Sequence, residues 1–384
     1  MSSSFQSQKR TADSLTLRER LDLLPGVLSI LANTIAAVFT GAIRNKQTSG
    51  RSLYRYICLT ALRTATRRLS ARQQHYILPN TESVYEAACK ARKVAPQSEV
   101  LEDGTKAHWI GDKKAEKLII NFHGGGYVMP AGPGMVEFMF RVVDTLSSQG
   151  KSVAVLFLAY DLAPGALYPR QLQQACALLN HVVNILSISP QNIILIGDSA
   201  GANLNLQLLS HISHPWNETH PASSSPLAVK GGIPVVKLSA PFRGMVLISP
   251  WASFSLSDKS FKTNAYTDCI CVPAGLQWSE AFMGSPHPHT ANSDYYNQPI
   301  TAPASWWKDL MVDDVLIVAG GAEVLIDGIK KFASIFEQGF GESHLEVFIA
   351  PDEYHDQASV DIGFGYQEDG GQAAKIKSWM GSKI

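Results

Sequence analysis

Gly197-Asp198-Ser199-Ala200-Gly201 sets a serine between small residues, directly after the apolar run Asn192–Ile196 and before a stretch with helical spacing. A serine at so sharp a strand-to-helix turn holds a strained backbone and an accessible hydroxyl, and bulky neighbours would clash there. The helix that begins beside it brings the positive end of its dipole close to any negative charge developing nearby. A second constellation, His123-Gly124-Gly125-Gly126-Tyr127, follows the apolar run Leu118–Phe122. Consecutive glycines let main-chain amides point into a cavity, where each such donor lowers an acyl-transfer barrier by about 3–4 kcal/mol. Ser199 is thus the candidate nucleophile, and the amides of Gly124, Gly125 and Ala200 are the candidate oxyanion hole. His123 reads as a brace for the glycine loop. A phosphate cradle is disfavoured, because neither G-x-x-x-x-G-K-[ST] nor G-x-G-x-x-G accompanies the glycines.

Two such loops converge only if regular elements carry them to one place. Beyond about residue 105, Leu118–Phe122, Val153–Leu158, Ile193–Ile196, Met245–Ile248, Val315–Val318 and Leu345–Ile349 read as buried strands. Helices are expected at Met135–Gln149, Leu172–Leu186, Ala200–His211 and Ile329–Gln338. Near-continuous apolar strands suit a sheet covered on both faces. Their alternation with helices implies parallel crossovers, so the fold class is α/β with a mostly parallel central sheet flanked by helices. The catalytic domain is expected at residues 105–384, with insertions near 213–240 and 254–307. The first is rich in proline, serine and glycine and reads as a surface excursion; the second carries Trp278, Tyr295, Tyr296, Trp306 and Trp307, expected to wall a pocket.

His-Gly-Gly-Gly-Tyr paired with Gly-Asp-Ser-Ala-Gly-Ala-Asn resembles the hormone-sensitive-lipase-like branch of the α/β-hydrolases, which are carboxylesterases, lipases and deacetylases. Tyr160-Asp-Leu-Ala-Pro164 and Leu247-Ile-Ser-Pro-Trp251 extend the resemblance over roughly residues 107–380, and Trp306-Trp307 ahead of Val315–Asp327 is similar to fungal members acting on sterol esters or secondary metabolites. The resemblance implies the α/β-hydrolase fold and the chain order nucleophile, acid, histidine. His355, on the loop after Leu345–Ile349, then becomes the general base, since an imidazole can take the serine proton and return it near neutral pH. His211, His214, His220, His287, His289 and His344 are less well placed. Alignment of Glu323-Val-Leu-Ile-Asp327 on the family's Asp-x-Leu-x-x-Asp-like stretch implies Glu323 as the acid that orients the histidine, with Asp327 as the alternative. Asp352 and Asp356 beside the histidine are expected to face solvent, and Gln357 stands where the family often has an apolar residue.

The chemistry these residues imply is a two-step acyl transfer through an acyl-serine. With water as second nucleophile the protein would be a serine esterase acting on a small-molecule ester, hydrophobic or acetyl. With an alcohol it would be an acyltransferase or a lactone-forming cyclase, and the same residues serve all three. A ligand-binding receptor on the same fold is a rival of another class, weakened by the presence of His355; a protease or amidase is disfavoured by the resemblance alone. No cofactor and no metal are expected.

Lysine plus arginine equals aspartate plus glutamate at 33 each, which leaves no global field to attract nucleic acid. A hydrophobic share of 45% and a charged share of 17% over 384 residues fit a folded globular chain. The five cysteines show neither metal-ligand nor disulfide-framework spacing, as expected of a reducing compartment or of buried thiols. Residues 1–104 form a separate helical region in this reading. Leu23–Ile43 carries no charge and is long enough to cross a bilayer, although Pro25, Gly26, Ser29, Asn33, Thr34, Thr40 and Gly41 dilute it. Arg63, Arg67, Arg68 and Arg72 lie among Leu62, Ala65 and Leu69, as in a second, basic amphipathic helix. A lid on the catalytic core, an interfacial helix and a membrane span all remain open for this region. No secretory signal is expected, and the localisation expected is intracellular: cytoplasmic or membrane-associated, the endoplasmic reticulum included. The sequon Asn217-Glu-Thr219 would matter only in a secretory lumen, and oligomeric state is not legible.

Overall fold

The computed structural model describes residues 15–44, 52–216, 232–289 and 293–384. Four helices lead: α1 (Leu17–Arg44), α2 (Leu53–Arg68), α3 (Ala71–Ile77) and α4 (Thr81–Arg92). Ser70 caps α3 with a reciprocal bond to Gln73, and the Asn80 side chain accepts the Ser83 N–H to start α4. One eight-stranded sheet follows, with β1 (Ser98–Val100), β2 (Lys106–Gly111), β3 (Lys117–Phe122), β4 (Val153–Ala159), β5 (Ile193–Asp198), β6 (Gly244–Ile248), β7 (Val315–Gly320) and β8 (Leu345–Ala350). Its order is β1-β2-β4-β3-β5-β6-β7-β8, antiparallel where β2 joins β1 and β4 and parallel elsewhere. All six expected strands are present. β1 and β2 were not expected.

Among the described residues eight further α-helices follow: α5 (Pro133–Ser148), α6 (Arg170–Asn180), α7 (Ala200–Ser213), α8 (Ser260–Thr263), α9 (Val272–Met283), α10 (Ile326–Phe340), α11 (Gln357–Gly363) and α12 (Gly371–Lys383). The alternation of side chains along each strand divides the core in two. Ile120, Leu195, Leu247 and Ile317 pack with Leu172 of α6, Leu204 of α7 and Phe332 of α10. Ile119, Ile194, Val246 and Leu316 pack on the opposite face with Val142 of α5, Ile376 of α12 and Tyr85 of α4. Both sheet faces are covered, which is why these strands read as unbroken apolar runs. Most of the serine-, proline- and glycine-rich insertion, with the sequon Asn217–Thr219, lies outside the described residues.

α1 has an inverted polarity. Asp22 is bound by both guanidinium nitrogens of Arg68, at 2.6 and 2.7 Å, and Gly26 and Gly41 face Leu69 and Leu53 at the two ends of α2. Leu21, Leu24, Leu28, Leu31, Ile35 and Phe39 are all exposed. Leu17–Gly41 is long and apolar enough to cross a membrane, and only 11% of its most apolar stretch is buried.

Candidate active site

Parallel strands deliver their following loops to one sheet edge, and in open α/β sheets that edge is where sites form. Phe122 pairs with Gly197, Ile248 with Asp198 and with Val318, and Gly320 with Ala350, so the loops after β3, β5, β6, β7 and β8 are neighbours. Ser199 occupies the turn between β5 and α7 at φ 53° and ψ −112°, outside the ordinary regions for a residue with a side chain. Its N–H donates to the carbonyl of Ile248 at 2.8 Å and its carbonyl accepts from Trp251 at 3.1 Å, so both peptide groups are fixed from β6 and the loop after it. Gly201 packs directly on the carbonyls of Phe122 and His123, where any side chain would collide.

The glycine loop is braced as its composition suggests. His123 stacks on Tyr160 with ring centroids 4.2 Å apart, and its main-chain carbonyl accepts the Tyr160 hydroxyl at 2.7 Å. Burial lowers the His123 pKa to about 4, so the ring is neutral. Tyr127 donates to Asn203 Oδ1 of α7 at 2.7 Å, and Asn203 in turn donates to the carbonyls of Trp251 and Asn297. Gly125 has φ +102°, which glycine tolerates, and its carbonyl closes a turn with Met129 at 2.8 Å. Of the three amides assigned to the oxyanion hole, Gly125 lines the same cavity as Ser199. Gly124 is packed against the Asp198 carboxylate, and Ala200 opens α7 immediately behind the serine.

His355 lies on the loop after β8, buried, with Nδ1–H donating to Glu323 Oε2 at 3.1 Å. Glu323 is itself fully buried on the loop after β7, which is tied to the histidine loop by Ala322 N–H donating to the Glu353 carbonyl at 2.9 Å. The structure thus puts Glu323 in contact with His355, lines one cavity with Ser199 and His355, and sends Asp327 elsewhere: its carboxylate accepts the Ser260 N–H at 2.8 Å, at the start of α8.

One expectation is overturned. Asp352 is exposed, but Asp356 is buried at 3% exposure, and its Oδ2 lies 3.0 Å from His355 Nε2. A left-handed backbone at Asp356, φ 53°, turns the side chain inward toward the imidazole. Nothing in residue order signals that turn. Burial disfavours the charged form of His355, yet the carboxylates of Asp356 and Glu323 outweigh it and raise the imidazole pKa well above its ordinary value. Burial together with the nearby Asp356 carboxylate likewise raises the Asp198 pKa well above the carboxylate range.

Ser199, His355, Asp356 and Gly125 line a cavity of about 270 Å³. Its remaining wall is mostly apolar: Met129, Ile270, Trp278 and Phe364 from the main body and Leu62 of α2 and Leu78 after α3, with the hydroxyl-bearing Thr66 and Ser359 among them. Of the aromatics expected to wall a pocket, Trp278 does so. Tyr295 and Tyr296 pack on Trp306, and Trp307 on Phe332, inside the core. Among the described residues no group of three or more His, Cys, Asp or Glu side chains is placed to hold a metal ion.

The fold and the convergent serine, histidine and carboxylate define a class, and comparison with known proteins agrees with it. Residues 119–358 match the family model described as the alpha/beta hydrolase fold, and the chain belongs to that family. It is similar to steryl acetyl hydrolase 1 of Saccharomyces cerevisiae, 20% identical over 229 residues that cover 57% of this chain and 48% of that protein. An esterase of Acinetobacter venetianus is 24% identical over 235 residues, 61% of this chain and 66% of that one. The chain therefore spans about half to two thirds of the length of these curated relatives. Among solved structures, a hormone-sensitive-lipase homologue from a metagenome library, EstE7, superposes with a TM-score of 0.60 at 20% identity, covering 85% of this chain and 97% of that chain. That likeness is one of fold.

Proposed function

We propose that this chain is a serine carboxylic-ester hydrolase working through an acyl-serine, with Ser199 as nucleophile, His355 as base and Glu323 as its orienting acid. The observation that carries the reading is the Glu323–His355 Nδ1 contact of 3.1 Å, buried beside the cavity that Ser199 lines. Glu323 fixes the tautomer that leaves Nε2 free of its proton and stabilises the imidazolium that forms. Nε2 turns from Asp356 to the serine hydroxyl and accepts its proton as Oγ attacks the ester carbonyl. Catalytic hydrogen bonds of this kind commonly tighten only around substrate. The oxyanion rests on main-chain N–H groups of the glycine loop and of Ala200. The imidazolium then gives its proton to the departing alkoxide, leaving acyl-serine and alcohol. Water, deprotonated by the same nitrogen, attacks the acyl carbon; the acyl–Oγ bond breaks, the imidazolium returns the proton to Ser199 Oγ, and the acid is released.

The apolar wall supports a hydrophobic small-molecule ester as substrate, and the relatives named steryl acetyl hydrolase and esterase point the same way. Residues 105–384 are read as the catalytic unit and the helices α2 and α3 as its cap, supported by the contribution of Leu62, Thr66 and Leu78 to the cavity wall, whereas α4 and β1 join the core and the sheet of the catalytic unit. The outward leucines of α1 support attachment to a lipid surface, since a water-facing helix would direct its polar side outward instead. Turnover of a short-chain aryl ester by wild-type and Ser199→Ala protein tests the central reading. Loss of turnover in the variant is expected; equal rates would remove it.

A further inference from the structure

We propose that Asp268, anchored from α2 by Arg63, is a positioning residue that locks Glu323 and His355 into their mutual geometry; the inference rests on the serine-hydrolase reading above. Asp268 is fully buried, between α8 and α9. Its Oδ2 accepts the N–H of Val324, the residue after Glu323, at 2.6 Å. Its Oδ1 accepts the N–H of His355 at 3.2 Å and of Cys269 at 2.7 Å. One carboxylate thus grips the acid's loop, the base itself and its own segment. The neighbours reinforce the grip, with Asn264 donating to the Glu323 carbonyl at 2.8 Å and Thr267 to that of Ala322 at 2.9 Å. From outside, Arg63 Nη1 donates to the carbonyls of Asp268, at 2.8 Å, and of Tyr266, at 3.2 Å.

Residue type matters here. A carboxylate offers acceptors to all three N–H groups, and charged acceptors bind them more strongly than neutral ones. An asparagine would present its own N–H₂ to at least one of them. The charge is placed where it is costly, since Glu323 and Asp356 are like-charged neighbours in the same buried cluster. Such an arrangement suits a site more than a scaffold. The clamp also joins α2, which lines the substrate cavity through Leu62 and Thr66, to the acid–base pair through a single side chain.

Aryl-ester kinetics of Asp268→Asn, with Ser199→Ala measured alongside, tests this. A misplacement of about an ångström at reacting groups costs up to a hundredfold in rate. The expected result is a kcat lower by about 10- to 100-fold, KM within about threefold, and a melting temperature lower by only a few degrees, with the far-downfield proton resonance of His355 Nδ1 lost. Asp268→Glu should recover part of kcat. If Asp268→Asn does not fold, Arg63→Met carries the same test, with kcat expected to fall by about threefold or more at unchanged KM. A kcat within twofold of wild type in whichever variant folds overturns the clamp, as does a fall in melting temperature without a fall in kcat. Inactive Ser199→Ala beside fully active Asp268→Asn removes the clamp alone; active Ser199→Ala removes the reading beneath it.

Discussion

Asp356 Oδ2 stands 3.0 Å from Nε2 of His355, the nitrogen that a base would turn toward Ser199. The base is therefore held between two carboxylates, one on each ring nitrogen. Negative charge at Nε2 favours the imidazolium, which cannot accept the serine proton. Asp356→Asn removes that charge, so the His355 pKa falls and the neutral base persists to lower pH. The acid limb of the kcat/KM profile should move down by about one pH unit or more. Profiles of the two proteins over the acid range check this, and an unmoved limb would separate Asp356 from the titration of the base.

Glu323 acts only through the histidine. Glu323→Gln should lower kcat by about 10³- to 10⁴-fold with little change in KM, as expected when the orienting carboxylate of such a triad becomes an amide. Asp327→Asn is the comparison, because its carboxylate serves the start of α8 rather than the imidazole. Its kcat should stay within a few-fold of wild type. Steady-state kinetics of both variants decide between the two carboxylates.

What could be read in the residue order was what local chemistry dictates. The runs Leu118–Ile120 and Val315–Val318 are apolar throughout because both faces of their strands are covered. The serine turn and the glycine loop carry small residues because the backbone there leaves no room for others. β1 and β2 were missed, since β1 has three residues, mostly exposed, and Lys106–Gly111 has neither a pure alternation nor a long apolar run. Asp356 escaped because its direction depends on one left-handed backbone angle. Asp268 escaped for a different reason: its partners Val324 and His355 lie 56 and 87 positions away, and only the folded sheet edge brings them together.

The cavity wall offers a handle on substrate choice. Leu62→Trp fills space on the α2 side while leaving Ser199, His355 and the glycine loop untouched. KM for an aryl ester with a long acyl chain should rise by about tenfold, and that for the acetyl ester should change much less. Paired kinetics on the two esters provide the check. Equal effects would place the acyl group elsewhere.

The exposed side of α1 should govern membrane attachment. Leu24→Glu with Leu31→Glu puts two charges on the outward face, at a cost of roughly 2.5–3.5 kcal/mol each in hydrocarbon. Flotation of the full chain with phospholipid vesicles should show wild type bound and the double variant largely released, with aryl-ester turnover retained. Equal flotation would show that α1 does not contact lipid.

The most direct measurement is reaction with a fluorophosphonate, which modifies a serine only where a base has activated it. Intact-mass and peptide analysis should find one adduct per chain, on Ser199, absent in Ser199→Ala and formed far more slowly in His355→Ala. A wild-type chain that stays unmodified at Ser199, or is modified there just as fast without His355, would contradict the account.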